Sequence, residues 1–219
     1  MTPSAATATR RRPASGSGVS YHQTASRRRR RGVMALCGAA LVVALILLML
    51  PLARQAVNEL GLPLKYQDVI RQQAAEKRLD PALIAAVIYA ETKFDARTSS
   101  AGAEGLMQIL PQTAAYLAHR SGATTFTTAD LGTPQVNIAY GSYYLRDLLD
   151  HYHGVTWRAV AAYNGGEANV DGWLAAARAR GDRFTIADIP FTETRDYVQR
   201  VLEARQDYRQ QYAAQLGYS

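Results

Sequence analysis

The chain has 219 residues, of which 48% are hydrophobic and 20% charged, and its formal net charge is +7 at pH 7. Residues 1–54 contain nine of the 25 basic residues and no acid, which leaves 16 basic groups against all 18 acids in residues 55–219. The basic charge therefore belongs to the N-terminal quarter, and the remainder has no electrostatic signature of nucleic-acid binding. The single cysteine, Cys37, excludes a disulfide within the chain.

The N-terminal quarter has the composition of a tail followed by a membrane span. Residues 1–31 are rich in Ser, Ala, Thr and Arg and predict a disordered, basic cytoplasmic tail. Residues 32–53 carry no charge and are long enough to cross a hydrocarbon core of roughly 30 Å. The arginines at 27–31 predict that this end stays in the cytoplasm and that the C-terminal part is exported. We expect a retained signal-anchor helix; a cleaved signal peptide, whose apolar region usually has about 7–15 residues, is the alternative.

Residues 54–64 are interpreted as a linker and residues 65–219 as one domain with helical periodicity. Asp80 and Pro81 form an N-cap followed by proline at the first helical position. Later helices are predicted to begin at or near Pro111, Pro134, Thr156, Ala168 and Thr192. The sequence therefore predicts an all-α domain, with any β-like pairing confined to the loop at 95–108.

The helix that begins at Pro81 carries a carboxylate on its apolar side. Ile84, Val87, Ile88 and Glu91 are spaced i, i+3, i+4 and i+7, so Glu91 continues the apolar stripe. Desolvation and the negative end of the helix dipole both raise the pKa of such a carboxyl. A carboxyl that is protonated near neutral pH is what general-acid chemistry requires. From periodicity alone, a glutamate that turns outward into water is an equal alternative.

The loop after Glu91 contains Gly102 and Gly105, which allow close backbone approach to a ligand, and then the amide of Gln108. The stretch "ETKFDARTSSAGAEGLMQILPQTA" (91–114) resembles the first signature of the lytic transglycosylase family with the soluble-lytic-transglycosylase, or goose-lysozyme-like, domain. Three further stretches resemble that family in the same order, namely "NIAYGSYYLRDLL" (137–149), "AAYNGG" (161–166) and "IPFTETRDYVQRVL" (189–202). Thr92 departs from the family pattern, which usually has Ser beside the catalytic acid.

This resemblance implies a lysozyme-like fold, no cofactor and peptidoglycan glycan strands as the substrate of a bacterial cell-wall enzyme. It implies that Glu91 protonates the oxygen between N-acetylmuramic acid and N-acetylglucosamine. As a carboxylate, Glu91 then takes the proton of the muramoyl 6-hydroxyl, and a 1,6-anhydro end forms without water. The supporting and substrate-binding residues that the resemblance implies are Thr92, Met107, Gln108, Tyr163, Asn164 and Glu193. Arg195 and Tyr197 are expected to serve packing and salt bridges.

Several alternatives remain at this stage. A two-carboxylate glycosidase needs a second acid, and Asp95 is expected in the loop that leaves the helix. A hydrolytic muramidase of the same fold and an inactive peptidoglycan-binding module are the other functions considered. A metal site is not expected, since the close pair His151 and His153 lacks i, i+4 spacing. The expected partners are glycan strands and, through the N-terminal helix, the cytoplasmic membrane, with cell-wall synthesis or secretion proteins as further candidates and no nucleic acid.

Overall fold

The computed structural model describes residues 43–49 and 62–218. Residues 43–49 are helical (α1) and belong to a different compact unit from residues 62–218. Within these two described stretches, no helix combines the length and the apolar character needed to cross a membrane. The predicted tail (1–31) and all of the predicted signal-anchor (32–53) except residues 43–49 lie outside the described residues.

The domain that starts at residue 62 is almost entirely helical, which confirms the predicted fold class. Its helices are α2 (Gln67–Lys77), α3 (Pro81–Thr92), α4 (Pro111–Ser121), α5 (Pro134–His151), α6 (Thr156–Gly165), α7 (Glu167–Arg180), α8 (Thr192–Gln211) and α9 (Ala213–Leu216). Two 3₁₀ helices, Thr128–Gly132 and Ile186–Asp188, and the short α9 were not predicted. Strands β1 (Arg97–Thr98) and β2 (Glu104–Gly105) pair antiparallel within the loop where pairing was expected.

Helix α3 forms the centre of this domain. Asp80 caps its N-terminus by accepting a hydrogen bond from the Ala82 N–H at 3.1 Å, and Pro81 occupies the first turn. Every residue at 82–88 is buried, so the helix is enclosed on all faces rather than along one stripe. A helix that is apolar all round is stable only inside a core. The spacing in the sequence predicted burial along one stripe only, whereas this helix is buried on all sides over residues 82–88.

Helix α8 packs along α3 in the antiparallel sense. Near the start of α3, the Asp80 carboxylate accepts Arg209 Nη2 at 2.9 Å, together with Arg205 and the hydroxyl of Tyr218. Burial alone would raise the pKa of Asp80, but the hydrogen bond from Tyr218 and the two guanidinium groups hold it below its ordinary value. This pairing fixes the end of α8 at the start of α3. The beginning of α8 consequently lies beside the end of α3, where Glu91 is located.

Candidate active site

The Glu91 side chain is half-buried in the last turn of α3, and Tyr197 of α8 contacts it directly. The Tyr197 hydroxyl donates a hydrogen bond of 2.7 Å to Glu91 Oε1. Tyr197 is only 2% exposed, so the phenol is supplied from within the core. Our expectation that Tyr197 serves packing and salt bridges did not include this contact with the acid. Its spacing in the sequence shows a buried position but not the carboxyl that its hydroxyl contacts 106 residues away.

Burial raises the pKa of Glu91 from 4.5 to about 7 because desolvation disfavours the ionised carboxylate. The hydrogen bond from Tyr197 and the positive charges of Arg200 and Arg97 act in the opposite direction, and they are outweighed. The negative charge of Glu193 adds to the increase. Near neutral pH the carboxyl can therefore exchange a proton in either direction, as one group that acts as both acid and base requires.

The loop after α3 is fastened to α5 through Asn137. This buried side chain donates from Nδ2 to the carbonyls of Glu104 at 2.8 Å and Leu131 at 3.1 Å, while its Oδ1 accepts the Met107 N–H at 2.8 Å. Gly105 has φ +74°, and a Cβ there would lie 2.3 Å from Asn137 Nδ2. A glycine is required at this position both by the conformation and by the space. Asn137 lies in one of the sequence stretches that resemble the family, but the sequence did not show that its side chain holds the loop.

Gln108 and Met107 are held within the same loop. Gln108 has φ 49°, and its Nε2 donates to the carbonyls of Arg97 at 2.7 Å and Gly105 at 2.8 Å. The Met107 side chain is fully buried, and its N–H is bound to Asn137. The Met107 N–H is thus already used inside the protein and is not free to bind a substrate.

Tyr163 joins α6 to this loop. Its hydroxyl donates to the Met107 carbonyl at 2.9 Å, and its ring packs on Tyr144 with the centroids 5.2 Å apart. Burial and then the nearby charge of Glu91 raise the pKa of Tyr163 well above its ordinary value. Tyr163 therefore lies within electrostatic range of Glu91, while its proton is directed to the loop backbone.

The other three predicted residues occupy different environments. Thr92 is 2% exposed, and its hydroxyl donates to the carbonyls of Leu106 at 2.8 Å and Ile88 at 3.2 Å. Asn164 Oδ1 accepts the hydroxyl of Thr194 at 2.8 Å, which ties the end of α6 to α8. Glu193 is exposed in the first turn of α8. Thr92 and Asn164 thus hold the walls of the site, whereas Glu193 acts on it through charge.

One group of potential metal ligands occurs among residues 62–218, away from Glu91. His151 at the end of α5 lies with Glu167 and Asp171 of α7, and their donor atoms fall within 4.8 Å of one another. His151 Nε2 is 3.1 Å from both oxygens of Asp171, and this hydrogen bond raises the pKa of the imidazole. The spacing of the four histidines in the sequence did not reveal this group, because the two carboxylates belong to another helix. The imidazole–carboxylate pairing accounts for the arrangement without an ion.

A central buried helix that ends in one proton-exchanging carboxyl, bordered by a glycine-containing loop and a tyrosine-bearing helix, is the arrangement of lysozyme-like proteins. Residues 68–186 match the Transglycosylase SLT domain family, and the chain belongs to this family, as its four sequence stretches indicated.

Relatives and solved structures agree with this assignment. The soluble lytic murein transglycosylase of Escherichia coli (strain K12) is 31% identical over 150 residues, which cover 67% of this chain and 23% of the relative. The lytic transglycosylase Slt of Pseudomonas aeruginosa, solved as an inactive mutant, superposes with a TM-score of 0.66 at 32% identity over 72% of this chain and 26% of that one. The 70-kDa soluble lytic transglycosylase solved with bulgecin A superposes with a TM-score of 0.65 at 30% identity. The superposition covers 69% of this chain and 25% of that one. The chain thus spans about a quarter of the length of these relatives.

Proposed function

We propose that this chain is a peptidoglycan lytic transglycosylase that cleaves the bond between N-acetylmuramic acid and N-acetylglucosamine and leaves a 1,6-anhydro end. The observation that carries the proposal is the Glu91 carboxyl, whose pKa burial raises to about 7. The names of the relatives and structural neighbours, all lytic transglycosylases, support the same activity.

In this mechanism Glu91 acts twice. The protonated carboxyl donates to the glycosidic oxygen as the bond to the anomeric carbon breaks, and the departing sugar leaves as an alcohol. The substrate's own N-acetyl group stabilises the positive charge that develops at that carbon. The Glu91 carboxylate then removes the proton of the muramoyl 6-hydroxyl, whose oxygen bonds to the anomeric carbon. The proton returns to Glu91, so the cycle closes without water.

Tyr197 supports both halves of this cycle. Its 2.7 Å hydrogen bond fixes the orientation of Glu91 and stabilises the carboxylate that exists between the two proton transfers. Because the phenol is buried, its own pKa is raised well above the ordinary value, and it remains protonated near neutral pH. Tyr197 is therefore a positioning residue that acts through Glu91.

Substrate contacts are proposed around the loop at 97–108. The two hydrogen bonds from Gln108 Nε2 hold its side chain against the loop backbone, where the amide oxygen can accept from the substrate N-acetyl group. Tyr163 and Asn164 border the opposite side and keep α6 attached to the loop and to α8. Thr92 joins the catalytic helix to the same loop, so the acid and the substrate wall are built as one unit.

The second candidate is a hydrolytic muramidase, in which water replaces the 6-hydroxyl. The raised pKa of Glu91 serves either reaction, so the product distinguishes them. We propose to digest purified peptidoglycan with the full chain and to measure the fragments by mass spectrometry. Anhydro-muropeptides that disappear with Glu91→Gln support the transglycosylase, and products one water heavier support the muramidase. Glu203→Gln, an exposed site on α8, is the matched control, and full activity of Glu91→Gln would refute both.

We also propose that residues 32–53 anchor the chain in the cytoplasmic membrane as a single span, with the catalytic domain on the cell-wall side. The support is the uncharged run preceded by the arginines at 27–31. Protease added to intact spheroplasts should degrade the domain and leave the N-terminal tail. Release of the whole chain from membranes by carbonate would contradict the anchor.

A further inference from the structure

A second groove lies outside the candidate active site. It has a volume of about 840 Å³ and is formed by the start of α6, the second half of α7 and the segment 181–187. None of the residues assigned above to the site of Glu91 lines it. Its walls combine aromatic rings with guanidinium groups, contributed by Trp157, Arg158, Arg178, Arg183 and Phe184. Its volume is in the range that binds small ligands, roughly 300–1,000 Å³.

The groove carries uncompensated positive charge. Among the described residues that line it, the only acid is Asp182, whose carboxylate is engaged by Arg180 Nε at 2.9 Å. Within residues 62–218, none of the three lining arginines, 158, 178 and 183, forms an ion pair or a hydrogen bond through its side chain. Arg178 belongs to the last turn of α7, where the helix dipole favours a cation. The helix dipole does not account in this way for the positions of Arg158 and Arg183.

Arg158 is the residue that most needs a partner. It lies in the first turn of α6, at the positive end of the helix dipole, where a cation is disfavoured. Its Nε is buried without a hydrogen-bond acceptor, and its guanidinium lies over the Trp157 ring, 5.3 Å from the centroid. No side chain caps this helix terminus. An anion in the groove would compensate the arginine and the helix terminus together.

A row of aromatic rings runs from the groove to the start of α8. Phe184 lies between Trp157 and Trp173, with centroid distances of 6.1 Å and 6.4 Å. Trp173 then contacts Phe191 at 5.0 Å. Phe191 is 47% exposed and immediately precedes α8, whose first turn carries Glu193, the residue whose charge raises the pKa of Glu91. The ring contacts thus extend from the groove to Phe191, the residue that precedes the helix carrying Glu193.

We propose that this groove binds the carboxylates of the peptide stems attached to the peptidoglycan strand, an inference that rests on the proposed function. A glycan strand held at Glu91 carries short peptides whose glutamate and C-terminal residue present carboxylates. Guanidinium groups bind carboxylates through paired hydrogen bonds, and the rings offer contact to the aliphatic parts of the peptide. The groove therefore selects strands that still bear acidic stems over bare glycan.

Binding is tested directly with a defined peptide. The full chain is titrated by calorimetry with the tetrapeptide L-Ala-γ-D-Glu-L-Lys-D-Ala and with the same peptide amidated at both carboxylates. The acidic peptide should bind, and amidation should weaken binding at least tenfold. Arg158→Gln and Arg183→Gln should each weaken it about tenfold, the factor that corresponds to roughly 1.4 kcal/mol. Arg71→Gln, which removes an arginine paired with Asp68 on α2, is the control and should leave it unchanged.

Two further measurements make the test independent of folding and of catalysis. Arg158→Lys retains the charge and should recover part of the affinity, and far-ultraviolet circular dichroism checks that each variant is folded. Equal binding of the two peptides, unchanged affinity in the arginine variants, or tighter binding of polyphosphate would overturn the proposal.

Cleavage assays separate this inference from the proposed function. The arginine variants should lose activity on peptide-bearing strands but retain it on strands from which an amidase has removed the peptides. If the chain forms no anhydro product with any strand, the proposed function fails while peptide binding can still be observed. If Glu91-dependent cleavage persists and the peptide does not bind, the groove has been assigned wrongly.

Discussion

Replacing Glu91 by Gln should stabilise the folded domain at neutral and alkaline pH. Burial raises the pKa of this carboxyl from 4.5 to about 7, so the folded protein binds the proton more tightly than the unfolded chain. Ionisation of Glu91 therefore opposes folding. The loss of stability begins as the pH rises through 4.5 and is complete above about 7, because only then is the carboxyl ionised in both states.

The expected size of the effect follows from that displacement of the pKa. At 1.36 kcal/mol per pKa unit, a change from 4.5 to about 7 corresponds to about 3 kcal/mol. Gln keeps the size of the side chain and an oxygen that accepts from Tyr197. Glu91→Gln should thus be about 3 kcal/mol more stable than the parent at pH 8 and nearly equal at pH 4, where both side chains are neutral.

Urea unfolding at pH 4, 6 and 8 measures this difference, with fluorescence from Trp157 and Trp173 reporting on the domain. Glu203→Gln is the control, since the exposed site should change the free energy of unfolding by no more than about 0.5 kcal/mol at any of the three pH values. A Glu91→Gln effect that is the same at pH 4 and pH 8 would refute the reasoning, because it would mean that the ionised carboxylate is not desolvated.

Three other substitutions test the surroundings of the acid. Tyr197→Phe removes the hydrogen bond that lowers the pKa of Glu91, so the alkaline limb of the kcat/KM profile should move to higher pH. Glu193→Gln removes a negative charge that raises the same pKa and should move that limb to lower pH; a shift in the same direction for both variants would contradict the assignment. Gly105→Ala would place a Cβ 2.3 Å from a buried side-chain amide at a position with φ +74°. Urea unfolding should show that the free energy of unfolding falls by about 2 kcal/mol or more. Gly132→Ala is the control, because a Cβ there meets open space and should lower the free energy of unfolding much less.

The helical domain was predictable because its signals are local. Asp80 with Pro81, and the prolines that open α4 and α5, define helix starts through capping and fixed φ, which need no knowledge of tertiary contacts. The 3₁₀ helix at Ile186–Asp188 was not predicted because its capping, from Thr185 to Asp188, spans a single turn. Short elements of this kind give too few residues for a periodic pattern.

The candidate site was predictable only in part. The spacing of Glu91 indicated burial, and the family resemblance directed attention to the loop behind it, but neither identified Asn137 as the residue that holds the loop. Thr92 illustrates the same limit. The sequence showed a hydroxyl with an added methyl group, whereas the structure shows that the hydroxyl bonds to Leu106 across the loop and that the side chain is enclosed. Contacts between distant parts of the chain decide such roles.

The pKa of Glu91 depends on the contacts of α8 as well as on burial at the end of α3. At one end of the antiparallel pair, Asp80 holds Arg205 and Arg209; at the other, Tyr197 and the charge of Glu193 act on Glu91 in opposite directions. Burial makes the largest contribution to the raised pKa of Glu91, and Arg97, which follows α3 in the chain, lowers that pKa together with Tyr197 and Arg200 of α8. A shift of α8 along its axis would move both the Tyr197 hydroxyl and the Glu193 carboxylate relative to Glu91. It would therefore change the pH at which the site exchanges its proton.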